Sequence, residues 1–189
     1  MLGRRCSWVT DDQLYIDYHD NEWSVPCHDS QDLFAKLMLE GQQAGLSWLT
    51  ILKRRHTFYQ AYAGFVPEKI ALFDQQDMGR LLNERGVIRS KLKIKAIINN
   101  AKCYLNMKAQ GVSFSEFLWG FVDHRVTVNR WPNASFVPTQ TVQSMSMSNA
   151  LQQQGFKYVG PVICYAFMQA IGMVNDHTLD CDWCHRHKA

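Results

Sequence analysis

The sequence has no long apolar run. Nothing in its 189 residues approaches the roughly 20 consecutive apolar positions of a membrane-spanning helix. Its start, MLGRRCSWVT, holds no apolar core. No signal peptide is therefore expected, and a cytoplasmic location is the expectation. No stretch sustains the apolar–polar alternation of a half-buried strand, which argues against a β-rich fold. Internal repeats and low-complexity segments are missing, which excludes a solenoid and a long polar tail. A strong net charge is missing too. The balance of +3 permits nucleic-acid binding without demanding it.

What is present reads as an ordinary globular chain, with 47% hydrophobic and 20% charged residues. Its length suits one domain, or two lobes sharing a core. Six cysteines without a secretory context argue for thiols or a metal rather than disulfides. Aromatics crowd toward the N-terminal quarter: Trp8, Tyr15, Tyr18, Trp23 and Trp48. Tyr15 and Tyr18 are spaced to share one face of a short helix.

Helical periodicity dominates the middle of the chain. Helices are expected from Trp48 to about Tyr62 and from Pro67 to Leu72. Asp77 can cap another, Met78 to Arg85. Leu92, Ile94, Ile97, Ile98, Ala101 and Leu105 predict a long amphipathic helix ending near Gly111. Arg89, Lys91, Lys93 and Lys95 crowd its start and read as a solvated face. Ser113 and Glu116 form a capping box for a helix to Val122. Thr127 to Thr141, with two prolines and no period, reads as a loop. The expected fold class is all-α.

Within Asp32–Trp48 one residue is out of place. Ser30 can cap a helix with Leu33, Leu37 and Met38 on one face, and Glu40 falls on that same inward face. A carboxylate there loses its hydration and needs a donor to replace it. A neighbouring Arg, Tyr or backbone N–H would satisfy it without any function. Gly41 to Leu46 then reads as a flexible loop with two amides and a leucine, and Ser47 as the cap of the next helix.

Two features of the C-terminal third carry chemistry. Gly155-Phe156-Lys157-Tyr158-Val159-Gly160 joins a helix to one that starts at Pro161. Gly160 would let the backbone approach something closely, and the free N–H groups opening the next helix suit a phosphate. Lys157 adds charge, although a plain helical hairpin with a glycine cap looks similar. Secondly, Cys6 and His19 near one end, with His177 and Cys181 near the other, make a donor set suited to structural Zn²⁺. His177 and Cys181 would share a face if that segment is helical. Cys27, His28, Cys184, His185 and His187 are alternative donors, Cys181-x-x-Cys184 is itself ligand-like, and free thiols with surface histidines remain open.

Together these features resemble the 3-methyladenine DNA glycosylase I family, bacterial alkylation-repair enzymes of the helix-hairpin-helix glycosylase superfamily. The matching residues are Cys6-x-Trp8, Tyr15-x-x-Tyr18-His19-Asp20-Asn21-Glu22-Trp23, the run Leu39 to Trp48, Gly155 to Gly160, and Val174-Asn175-Asp176-His177 with Cys181. They cover essentially the whole chain. The resemblance implies a helix-hairpin-helix DNA glycosylase fold in a single domain, residues 1–189. One lobe would be formed by the terminal segments, stapled by one structural zinc on Cys6, His19, His177 and Cys181. The other would hold the central helices and the 149–172 hairpin. Glu40 would recognise the base, with water polarisation left open, in a pocket with Trp8, Tyr15, Tyr18, Trp23 and Trp48. Gln43, Gly45, Leu46, Lys157, Val159, Gly160 and Val162 would contact DNA, Leu46 as an apolar wedge.

The implied substrate is double-stranded DNA carrying alkylated bases, and the product is free 3-methyladenine. A monomer away from membranes is expected. The base must leave the stack to be reached. N3-methylation makes adenine in DNA formally cationic, which aromatic faces and a carboxylate attract. Many helix-hairpin-helix glycosylases place an aspartate about twenty residues past the hairpin, and that count arrives at Asp180. The family is understood to lack that residue, and neither Asp180 nor Asp176 is assigned. Two rivals remain: a zinc-stapled DNA-binding module that does not cut, and a metallohydrolase using the Cys/His set.

Overall fold

Side-chain caps set most of the helix starts. In the computed structural model, which describes residues 3–185, Asp12 accepts from the Leu14 N–H and opens α1, Gln13–Asn21. Asp29, not Ser30, caps α2, Ser30–Gln43. The Asp29 carboxylate accepts from both Gln31 and Asp32 N–H. Ser30 is left free to accept from the Ser115 N–H. Ser47 caps α3, Trp48–Ala61, as expected. Pro67 opens the short α4, Pro67–Ile70. The cap of α5, Gln75–Asn83, is Asp74, and Asp77 closes the box from the third position. The cap lies three residues before Asp77, the residue that spacing suggests.

Ser90 caps α6, Lys91–Ala109, the longest helix among the described residues. Ser113 caps α7, Phe114–Trp119, which tightens into a 3₁₀ turn through Val122. The 127–141 loop is not structureless. Its first residues form β1, Thr127–Val128, before α8, Val142–Gln153, and α9, Pro161–Ala170. β1 pairs in parallel with β2, Val174–Asn175. The protein is therefore mostly helical rather than purely so. Two-residue strands lie below the length at which alternation can be read.

The main core lies between α2, α3, α6, α7, α8 and α9, around Phe34, Leu37, Phe58, Ile97, Trp119 and Phe167. A second cluster joins Cys6, Tyr18, Trp23, Leu52, Ala170 and Cys181, with Trp8, Tyr15 and Trp48 packed against it. It brings α1 and the N-terminal segment onto the segment that follows β2. Gly172 makes the approach possible: its φ is +74°, and a Cβ there would lie 2.5 Å from the Val25–Pro26 backbone. No helix among the described residues is long and apolar enough to cross a membrane.

Candidate active site and metal centre

α2 does not stop at Glu40. It continues through Gly41 and Gln42 to Gln43, so the reading of a flexible loop from Gly41 onward is corrected. Gly41 lets the Tyr158 backbone pack closely: a Cβ there would sit 3.2 Å from the Tyr158 carbonyl oxygen, so the neighbour would have to give by a few tenths of an ångström. The turn itself comes later. Leu46 N–H donates to Gln43 O across 2.7 Å, Gly45 takes φ +78°, and Leu46 is 40% exposed.

Glu40 is 3% exposed. No donor reaches its carboxylate among the described residues, so the Arg, Tyr or backbone partner that would satisfy it without function is not there. Burial pushes the carboxyl up to about 8, with Lys36 opposing. Around it lies a cleft of about 380 Å³ lined by Trp8, Tyr15, Tyr18, Trp23, Gln43 and Trp48. The rings meet edge-on or tilted, Trp8 with its centroid 5.0 Å from Tyr15 and 5.1 Å from Trp23, and Tyr18 with its centroid 5.5 Å from Trp48. Burial first, and then the Glu40 charge, holds the phenols of Tyr15 and Tyr18 above their ordinary range. The buried Trp48 indole N–H has no acceptor among the described residues. Tyr18, Glu40 and Trp48 also line a second cavity, with Lys36, Arg55 and His56, and so form a wall between the two.

Sequence reasoning missed the other wall. Val137 and Pro138 come from the 127–141 loop, and Tyr165, Gln169, Asp176 and Thr178 from α9 and the segment after β2. A signal existed at Tyr165 and Gln169, polar groups four residues apart on an otherwise apolar helix. Asp176 is 1% exposed. Its Oδ1 accepts from Asn129 Nδ2 and Trp131 Nε1, and its Oδ2 from Tyr165 Oη and Gln169 Nε2, at 2.6–2.8 Å. Asp180 lies elsewhere, paired with Arg4.

The hairpin adjoins this cleft through Val162, in the first turn of α9 and half exposed. Val159 is buried, and its carbonyl accepts from Ser148 Oγ. The left-handed residues of the turn are Gly155 and Tyr158, with φ +90° and +56°. Gly160 has an ordinary φ of −65°, and a Cβ there would meet nothing within 4 Å. The fold therefore does not require glycine at 160. Lys157 does not line the cleft; it lines a groove with Leu92 and Lys95 of α6.

Cys6, His19, His177 and Cys181 converge with all four donor atoms within 4.8 Å of one another, each residue buried. Three sulfur–nitrogen distances are 3.5 Å: Cys6 to His177, Cys181 to His177 and Cys181 to His19. Tetrahedral Zn²⁺, with Zn–S about 2.3 Å and Zn–N about 2.05 Å, requires sulfur–nitrogen edges of about 3.5 Å. The donor set fits that ion. His177 and Cys181 meet through a turn, with Cys181 N–H on Thr178 O at 2.8 Å, and not through a helix. His19 Nδ1–H donates to Asp20 Oδ1 across 2.7 Å, and Arg5 holds the same carboxylate with two nitrogens. That leaves His19 Nε2 facing the thiols. Cys27, His28, Cys184 and His185 are outside the cluster. His187 lies outside the described residues.

The sequence matches the methyladenine glycosylase family over residues 8–185. The chain belongs to the methyladenine glycosylase family. It is 50% identical over 177 residues to DNA-3-methyladenine glycosylase 1 of Escherichia coli (strain K12), covering 94% of this chain and 95% of that relative. A crystal structure of 3-methyladenine DNA glycosylase I superposes with a TM-score of 0.93 at 48% identity, covering 95% of this chain and 98% of that one. A Tyr-to-Phe variant of a 3-methyladenine DNA glycosylase I, solved with 3-methyladenine bound, superposes at 0.91 with 38% identity, covering 97% and 99%. The methyladenine glycosylase fold thus accounts for the chain nearly from end to end.

Proposed function

We propose that this chain hydrolyses the N-glycosidic bond of 3-methyladenine in alkylated duplex DNA, releasing the free base and leaving an abasic site without cutting the strand. The observation that carries the reading is Glu40, a buried carboxylate with no donor among the described residues, inside an aromatic cleft. A cationic purine supplies what that site lacks. Its exocyclic amino group can donate to the carboxylate, its charge offsets the carboxylate's, and the ring faces of Tyr15, Tyr18, Trp8, Trp23 and Trp48 favour a cation. An undamaged adenine brings no positive charge. The methylated base departs neutral, so no acid need protonate it, and water completes the cleavage of an oxocarbenium-like sugar.

Leu46, exposed at the tip of its turn, fills the gap left in the stack. The N–H groups of Gly160 and Val162, on either side of Pro161, which has none, take a phosphate at the start of α9, with Gly160 keeping the approach open. One Zn²⁺ on Cys6, His19, His177 and Cys181 ties the chain ends together. When bound it supplies folding free energy, since every position is filled by protein and none remains for water. The reading is tested by incubating the protein with methylated DNA and identifying the released base. Release of no base, with DNA bound, would favour a binding module instead. Metal analysis of fresh protein should find one zinc per chain, and Cys6→Ser should lower the Tm; zinc-free wild-type protein would overturn the metal assignment.

A further inference from the structure

The basic run at the start of α6 is not uniformly solvated. Lys93 is 8% exposed, and its Nζ donates to Gln42 O and Ala44 O, each across 2.8 Å. Those carbonyls end α2, where intrahelical donors run out and a cation is favoured. The next two residues are Gly45 and Leu46, the exposed turn. Asn100 lies seven residues on from Lys93, two helical turns along the same face, about 10 Å away. Asn100 is more deeply buried still, 2% exposed. Its Oδ1 accepts from the Lys157 N–H at 2.8 Å, and its Nδ2 donates to the Lys157 carbonyl at 2.9 Å. Asn99 adds a bond to Gly155 O at 2.8 Å.

Neither Lys93 nor Asn100 lines the aromatic cleft. Both spend desolvated polar atoms on backbone groups of the two segments assigned to DNA, although apolar side chains of similar size would fill the same face. We infer that Lys93 and Asn100 are positioning residues, and that α6 is a rigid spacer holding the Gly45–Leu46 turn and the 155–160 hairpin at one separation, so that the wedge and the phosphate grip engage one duplex in register. This rests on the DNA glycosylase reading.

The test uses Lys93→Met and Asn100→Asp, singly and together, with Lys93→Arg as the conservative variant. Affinity for methylated duplex, affinity for free 3-methyladenine, and base release are measured on each. Each single variant should weaken duplex affinity about tenfold, the scale of a lost buried hydrogen bond. Free-base affinity should stay at the wild-type value, and Lys93→Arg should recover most of the loss. The double variant should bind no worse than the weaker single, because the separation is already lost. Wild-type duplex affinity in both singles, parallel loss of duplex and free-base affinity, or additive losses in the double would each overturn the spacer. If Lys93→Met does not fold, Asn100→Asp decides by the same two affinities. Wild-type protein that binds duplex but releases no base refutes the enzyme reading instead, and the variants' duplex affinities still judge the spacer.

Discussion

The two walls of the cleft each bury a carboxylate and treat it in opposite ways. Asp176 has four donors fixed on it from the 127–141 loop and α9. Glu40, on α2 in the same cleft, has none among the described residues. A buried carboxyl group saturated with hydrogen bonds organises its surroundings and has nothing left to offer a ligand. A buried acid without donors costs the fold stability and has full accepting capacity in reserve. The Asp176 wall reads as structure and the Glu40 wall as function, and each half of that contrast can be broken separately.

Glu40→Ala should give the largest change, a loss of base excision of a hundredfold or more, the lower end of what a positioned carboxylate contributes. The protein should stay folded, and a fully active Glu40→Ala enzyme would remove the assignment. Asp176→Asn should do the reverse. An amide offers two donors to atoms that already face donors, so about 2–4 kcal/mol of stability should be lost in denaturant titration. Excision per folded molecule should survive. A stable but inactive Asp176→Asn protein would exchange the roles of the two walls.

The pH dependence sharpens the Glu40 half. In the empty cleft the carboxyl is mostly protonated below about 8. A cationic base binds the ionised form better, so kcat/KM on methylated DNA should rise by up to tenfold per pH unit between 6 and 8 and level off above. Glu40→Gln should remove that slope. Stability runs the other way. The fold tolerates the neutral acid, so the contribution of Glu40 is whole below its ordinary value of 4.5 and is lost as pH rises through about 8. Glu40→Gln should therefore raise the Tm at pH 8 and leave it nearly unchanged at pH 4; equal shifts at both would show that the acid is not held neutral.

Much of the α2 side could be read from spacing alone. Glu40 shares a face with Leu33 and Leu37, and Tyr15 shares one with Tyr18, because both patterns are local. The opposite wall could not be read that way. Asp176 meets Asn129 and Trp131 across more than forty residues and a parallel pairing of only two residues per strand. Lys93 reads as a solvated residue for a related reason: its partners are carbonyls, which have no side-chain signature, at the end of another helix. The metal set was visible as composition. Its choice over Cys184 and His185 came from family resemblance, since His177 and Cys181 meet through a turn that helical spacing does not describe.

The smallest expected effect concerns the hairpin rather than either carboxylate, and it separates holding a base from holding DNA. A Cβ at Gly160 meets nothing within 4 Å among the described residues, and the backbone there suits any residue. Gly160→Leu should therefore fold with a Tm near that of the parent. A leucine would stand where a phosphate must approach the first N–H groups of α9. Duplex affinity should fall by several-fold to about tenfold, the range of one ordinary hydrogen bond. Free 3-methyladenine affinity should hold, since the base is bound on the Glu40 side of the cleft. Equal losses for base and duplex would mean that the hairpin supports the cleft and does not grip the strand, and the division of labour between the two walls would then have to include it.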